Sequence, residues 1–132
     1  MISICDLRAG NTIYIPQGVG TVIEVLKDSV WVCLEGEDFF FLKEDESRLS
    51  PYKITDEILP KLGFEYDRKA RIYLKKLNED EFFFFDTYYN RAYRANQSIE
   101  SDPPGKVCNA VHELQNAYYD LTGEMFLPEE AL

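Results

Sequence analysis

The sequence has one histidine and three cysteines among 132 residues. No zinc site of the usual Cys/His type can be built around His112, the only histidine, by sequence spacing. Cys5, Cys33 and Cys108 are odd in number and far apart, with no CxxC pair, which is typical of reduced thiols and not of a disulfide framework. We expect His112 to be a partly exposed surface residue and Cys33 to be a buried, inert thiol.

Long apolar runs are also missing. No segment is long enough to span a bilayer, and the first residues, MISICDLRAG, lack the basic start and apolar stretch of a secretory signal. Apolar residues make up 45% of the chain and aromatic residues 14%, which is a globular composition. We therefore expect a soluble, cytoplasmic protein that does not act at a membrane.

Basic residues are scarce. The 24 Asp and Glu residues outnumber the 14 Lys and Arg residues, and the formal net charge is −10. A nucleic acid is repelled by such a protein at long range, whereas a basic protein is attracted to it. Solubility alone is a simpler explanation of the charge, and both explanations remain open.

The sequence contains no recognisable catalytic motif. The glycine pair Gly18–Gly20 lacks the third glycine and the following helix of a phosphate-binding loop. Glu65, Asp67 and Lys69 loosely resemble the acid-x-Lys element of metal-dependent nucleases, but their surroundings are polar and turn-like. Glu44 to Ser47 lacks the spacing and the glycine of a calcium loop. We predict that the protein is not an enzyme and that it has no catalytic residues, no metal site and no cofactor.

Short alternating apolar segments separated by turn residues fill the N-terminal part, residues 1–54. They predict strands at Thr12–Ile15, Gly20–Val25, Ser29–Leu34 and Phe39–Leu42, with Pro51–Ile54 as a fifth. A flat sheet of such short strands would leave two unprotected edges, so we expect it to close into a small β-barrel.

In the second part, residues 55–132, the sequence predicts a helix, then strands and then a final helix. ITDEILPKLGF predicts a short helix capped by Thr55 and ended by Gly63, with Pro60 awkwardly inside. A three-stranded antiparallel meander follows at 70–77, 82–89 and 91–99.

The final helix is predicted from KVCNAVHELQNAYYDL, which carries an apolar stripe and a polar side that includes Asn109, Glu113, Asn116 and Asp120. The predicted fold class is α+β.

Two phenylalanine runs follow carboxylates, and the second, NEDEFFFFDTYY, suggests a binding surface. In a strand, Phe82 and Phe84 point to one side, and Phe83 and Phe85 point to the other. One pair packs beneath the final helix. We expect the barrel to cover the other pair. The alternatives are a second copy of the chain, in a homodimer, and a partner protein. The predicted partner-binding residues are Glu79, Asp80, Glu81, Phe83, Phe85, Asp86, Tyr88 and Tyr89.

Aromatic and basic residues alternate once, in YYNRAYRANQ. Arg91, Tyr93 and Arg94, with the neighbouring tyrosines, suggest base stacking and phosphate contacts. The net charge opposes that alternative.

Three segments, LRAGNTIYI, ITDEILPKLGFEY and VHELQNAYYDLTGEMF, resemble in the same order a protein family common in phages and prophages of Bacteroidetes. The N-terminal part resembles SH3-like adaptor modules more distantly. The resemblance implies a mobile-element accessory protein. We therefore expect it to bind a basic host protein or ribonucleoprotein, as an inhibitor of a defence nuclease such as a CRISPR effector. The alternative is an SH3-like module that binds RNA or DNA.

Overall fold

A computed structural model describes residues 2–96, 105–126 and 128. The fold is α+β, with two antiparallel five-stranded sheets and a C-terminal helix. The first sheet contains β1 (Thr12–Ile15), β2 (Gly18–Val25), β3 (Ser29–Leu34), β4 (Glu37–Leu42) and β5 (Ser50–Pro51), and its order is β4-β3-β2-β1-β5. Short 3-10 helices occupy Ile4–Asp6 and Lys43–Arg48.

The first sheet confirms the four predicted strands but not the closed barrel. Within the described part of the chain, β4 and β5 do not pair, so the sheet remains open. The fifth strand has only two residues because Pro51 has no N–H to continue the ladder and Tyr52 turns into the core of the second half. Aliphatic side chains fill the inner face of this sheet, among them Ile13, Val30 and Leu49.

The second sheet has the order β10-β9-β8-β7-β6. Its strands are β6 (Glu65–Asp67), β7 (Ile72–Lys76), β8 (Phe82–Asp86), β9 (Arg91–Ala95) and β10 (Lys106–Val107). The predicted meander corresponds to β7, β8 and β9, although the end of its third strand, from Gln97, lies outside the described residues. The two short edge strands β6 and β10 were not predicted.

Two helices belong to the second half. The short helix α1 (Ile58–Lys61) tolerates Pro60 because that residue lies in its first turn, where no helical N–H bond is made. The long helix α2 (Val111–Thr122) begins later than predicted, since Val107 pairs with Arg91 in the sheet and Ala110 has an extended backbone. Gly123 ends α2 in a left-handed conformation with a φ of 80°.

The second core lies between α2 and one face of the second sheet. Phe83 and Phe85 are fully buried there beneath Val111 and Leu114, and the Phe83 ring meets Tyr118 edge-on at a centroid distance of 4.9 Å. Burial of each phenylalanine contributes about 2–3 kcal/mol. This face, and not the Phe82 and Phe84 face, is the one that the predicted helix covers.

The other phenylalanine pair belongs to a separate cluster. Phe84 is 3% exposed and packs with Ile72 and with Tyr93, whose ring lies 5.2 Å away, while Phe82 is half-buried beside them. Among the described residues, this cluster contains none from the first sheet. The expectation that the N-terminal sheet covers this pair is therefore wrong. The N-terminal part instead reaches the opposite core through Tyr52.

Two amides of α2, Gln115 and Asn116, face the first sheet, whereas Asn109, Glu113 and Asp120 of the predicted polar side are exposed. Gln115 is fully buried, and its side chain accepts from the Thr12 N–H at 2.8 Å and donates to the Gly10 and Phe126 carbonyls. Asn11 donates to Asn116 at 2.8 Å. The helix therefore joins both halves, with its apolar stripe on one sheet and its amides on the other.

Candidate protein-binding surfaces

The acidic turn, Asn78–Glu81, connects β7 to β8. The Asn78 side-chain oxygen accepts the backbone N–H groups of Asp80 and Glu81 at 2.9 and 2.8 Å, which fixes the turn. Glu81 forms an ion pair with Arg94 at 2.8 Å, and the hydrogen bonds from Arg94 and Asn78 lower the pKa of Glu81. Glu79 and Asp80 remain exposed. Two of the three predicted acids in this turn are therefore accessible without first breaking an ion pair.

The tyrosine turn, Asp86–Asn90, connects β8 to β9. The Asp86 carboxylate accepts the backbone N–H groups of Tyr88 and Tyr89 at 2.8 and 3.4 Å. Tyr88 is 83% exposed, and its ring lies edge-on to Tyr89 at 4.7 Å. This turn therefore presents an exposed aromatic pair on a backbone held by Asp86.

The structure does not bring the predicted partner-binding residues together. The acidic turn and the tyrosine turn lie at opposite ends of β8, which separates them by roughly 14 Å. Phe83 and Phe85, which lie between them in sequence, are 0% exposed and belong to the core. We correct their assignment accordingly, since neither ring has surface with which to anchor a partner.

The predicted nucleic-acid residues are also separated. Tyr93 is buried at 4% exposure, so its ring has no face on which a base could stack. Arg94 lies on the opposite side of β9, where it binds Glu81 and donates to the Leu121 carbonyl at 2.8 Å. Arg91 donates to the Gly105 carbonyl. These residues do not form one basic, aromatic surface.

Sequence reasoning missed the aromatic face, which lies on the outer side of the first sheet and consists of Glu24, Trp31, Asp38, Phe40 and Leu42. Trp31 lies directly opposite Phe40 in the strand pairing, and the ring centroids are 4.8 Å apart. Phe40 is 46% exposed and Leu42 is 41% exposed. Glu24 of β2 lies opposite Trp31 in the pairing of β2 with β3. Asp38 lies two residues before Phe40 and therefore on the same face of β4. Apolar side chains are thus bordered by carboxylates.

The turn between β3 and β4 was the signal that could have revealed this face. Glu35 and Gly36 both have positive φ angles, 52° and 84°, as in the two-residue type I′ turn of tight hairpins. A two-residue turn pairs Leu34 with Glu37. Three residues further from the turn on each strand, the same register pairs Trp31 with Phe40. Strand alternation then directs Phe39 and Phe41 inward and Phe40 outward.

Within 2–96, 105–126 and 128, no three histidine, cysteine or acidic side chains converge as metal ligands. Burial raises the pKa of Cys108 to about 12, which keeps the thiol protonated at neutral pH. Cys33 is half-buried, not buried as predicted, because it lies on the outer face opposite Asp38.

His112 is buried and not partly exposed as predicted, since the side of α2 that carries it packs on the N-terminal part. Burial lowers its pKa, although Glu113 and Asp6 oppose that effect. Its Nδ1 atom has no hydrogen-bond partner. This histidine therefore belongs to the interior of the fold and not to an accessible surface.

Comparison of the chain with protein-family models, curated proteins and solved structures gives no match. No helix in the described part of the chain has the length and apolar character needed to cross a membrane. The function of the protein is therefore inferred from its own geometry.

Proposed function

We propose that the protein is a non-enzymatic protein-binding module that attaches to a basic surface of another protein. The aromatic face carries this proposal. Trp and other aromatic side chains dominate the energetic centres of protein interfaces, and charged groups around them set specificity and association rate. Trp31 and Phe40 form such a centre, and Glu24 and Asp38 supply acidic borders.

The energetics favour a protein partner over simple solvent exposure. Covering a half-exposed side chain such as Phe40 or Leu42 contributes about 1 kcal/mol, and the larger Trp31 ring adds to that gain. The net charge of −10 accelerates encounter with a basic partner and disfavours a nucleic acid. Each effect is modest, and together they favour a basic protein surface that contains an apolar pocket.

A more specific form of the proposal is a phage or prophage accessory protein that acts in the cytoplasm as an inhibitor of a host defence nuclease, such as a CRISPR effector. Nucleases bind their substrates in basic channels, and an acidic protein competes for such a channel. Two further and separate contact points are the exposed Glu79 and Asp80 of the acidic turn and the exposed Tyr88 and Tyr89 of the tyrosine turn.

The strand order of the N-terminal sheet favours the interpretation of this part as an SH3-like module. Its strand order β4-β3-β2-β1-β5 places the last strand beside the first, and a 3-10 helix at Lys43–Arg48 precedes β5. This order is expected for an SH3-like sheet, and such modules serve as adaptors.

Affinity capture from the native host, followed by mass spectrometry, tests the proposal. The captured protein is then purified, and its binding is measured by calorimetry against the wild type and the Trp31→Ala and Phe40→Ala variants. Each substitution should weaken binding at least about tenfold, as expected at an interface centre. Tyr66→Ala is the matched control, because Tyr66 is 50% exposed on the other sheet.

Two results would contradict the proposal. The first is equal binding by all four proteins, which would remove the aromatic face from the interface. The second is salt-dependent binding of RNA or DNA alone, with no protein captured, which would favour the nucleic-acid alternative.

A further inference from the structure

The four edge strands of the two sheets differ in length. At the edges of the second sheet, β6 has three residues and β10 has two, and at one edge of the first sheet β5 has two. The remaining edge strand, β4, has six residues. Proteins commonly protect sheet edges by keeping them short, because the unpaired N–H and C=O groups of a long edge form hydrogen bonds with another chain. Only β4 departs from that rule among the described strands.

Strand β4 also lacks three other common protections, namely proline, lysine and a bulge, and its two charged residues, Glu37 and Asp38, lie together at one end. Residues Glu37–Leu42 contain no proline and no lysine, and all six pair with β3 in continuous register without a bulge. Phe40 and Leu42 remain half-exposed on its outer face. No described strand pairs with β4 on the side away from β3. This edge therefore presents a straight row of backbone groups beside the aromatic face.

We propose that β4 binds an extended, basic segment of the partner protein as an additional strand, so that backbone hydrogen bonds supplement the contacts of the aromatic face. This inference rests on the proposed function and specifies how the partner binds. Alternate side chains of the added strand would lie over Phe40 and Leu42. The segment is accordingly one in which apolar residues alternate with lysine or arginine.

Charge decides between a basic segment and a second copy of the chain. Residues 35–48 carry six acids and two bases, and Glu35, Glu37 and Asp38 lie at one end of β4 while Glu44 and Asp45 lie beyond the other. Pairing of β4 with its own copy would bring two such acidic stretches side by side. A basic segment meets them with opposite charge.

Synthetic octapeptides test the inference directly on the intact protein. The probe is an alternating Lys-Val peptide, and a Glu-Val peptide of the same length is its charge control. Two further Lys-Val peptides carry N-methyl groups on all lysines or on all valines. They have the same composition, but each lacks the N–H donors along one edge of the extended peptide. Binding is measured by calorimetry, and amide exchange in Glu37–Leu42 is followed by NMR.

Strand addition predicts three results. The Lys-Val peptide binds and slows exchange of β4 amides at least about tenfold, whereas the Glu-Val peptide does not bind. One of the two N-methylated peptides loses at least about tenfold in affinity relative to the other, since it cannot donate to β4. Glu37→Lys weakens binding, and Glu65→Lys, which reverses an exposed charge on the edge strand β6, does not.

Three outcomes overturn the inference. If no Lys-Val peptide binds, or if both methylated forms bind equally with unchanged β4 exchange, strand addition is wrong. If β4 amides become protected as the protein concentration rises without peptide, the edge is occupied by a second copy. None of these outcomes alters capture of a partner that depends on Trp31, so failure of strand addition is distinguishable from failure of the proposed function.

Discussion

Replacement of Gln115 by leucine tests whether α2 holds the two halves together through its buried amide. Gln115 is fully buried, and its side chain serves four groups: the N–H and hydroxyl of Thr12 and the carbonyls of Gly10 and Phe126. Leucine has a similar volume but can neither donate nor accept a hydrogen bond. The substitution therefore removes the hydrogen bonds with little change in packing volume.

The expected loss follows from the groups left without partners. Thr12 is 2% exposed, so its N–H cannot turn to solvent. An unsatisfied buried donor or acceptor costs about 1–3 kcal/mol, and Gln115→Leu leaves at least two, at Thr12 and Phe126. The greater hydrophobicity of leucine offsets about 1 kcal/mol of this cost. We expect a net loss of about 3 kcal/mol and a fall in Tm of roughly 10 °C.

Urea unfolding followed by circular dichroism measures the loss, and Gln17→Leu is the matched control. Gln17 is exposed in the turn between β1 and β2, where the same substitution should change stability by less than about 0.5 kcal/mol. If Gln115→Leu proves neutral or stabilising, the buried amide does not secure the junction, and our account of how the halves are joined is refuted.

Three further predictions concern the core, a close backbone contact and pH. Phe83→Ala should cost about 3–5 kcal/mol in urea unfolding, and Tyr88→Ala less than about 0.5 kcal/mol; the reverse order would show that Phe83 does not lie in the core. Gly20→Ala should cost about 1–3 kcal/mol in the same measurement, because its new Cβ would lie 2.5 Å from Val32 Cγ1; an unchanged midpoint would contradict that contact. Burial lowers the pKa of His112 below its ordinary value of 6.5, so the unfolded chain takes up a proton more readily. Stability should consequently fall as pH drops below about 6.5, and His112→Phe should flatten Tm between pH 7 and 5; an unchanged slope in the variant would assign the effect to other groups. Asp120 stays outside this window, since hydrogen bonds from Arg8 and Lys106 lower its pKa to about 2.

Local signals predicted much of the fold. Alternation and turn residues located the first four strands, and the bounds of β1 and β3 agree with the prediction. The edge strands β6 and β10 escaped detection because strands of three and two residues are too short to show a period. The start of α2 was predicted too early because Lys106 and Val107 fit the helical pattern. Only their pairing with β9, which is remote in sequence, shows that these two residues belong to a strand.

Non-local contacts also limited prediction of the site. A helix that packs its amides on a second sheet has the same amphipathic pattern as a surface helix, so the burial of His112 and Gln115 was not visible in the sequence. Strand alternation correctly predicted that Phe83 and Phe84 lie on opposite faces of β8, but it does not show which face packs against the helix. The aromatic face required the register of two strands, which depends on recognising the turn at Glu35 and Gly36.

The link between Gln115 and Thr12 has a consequence for synthesis of the protein. The two residues are separated by 103 positions. The ribosome must therefore make nearly the whole described chain before Thr12, the first residue of β1, gains its hydrogen-bond partner. Until then, the Thr12 N–H is hydrogen-bonded only to water, and the first sheet lacks the helix that later packs on it. We infer that the nascent N-terminal part stays only loosely ordered until α2 emerges, and that final consolidation comes late.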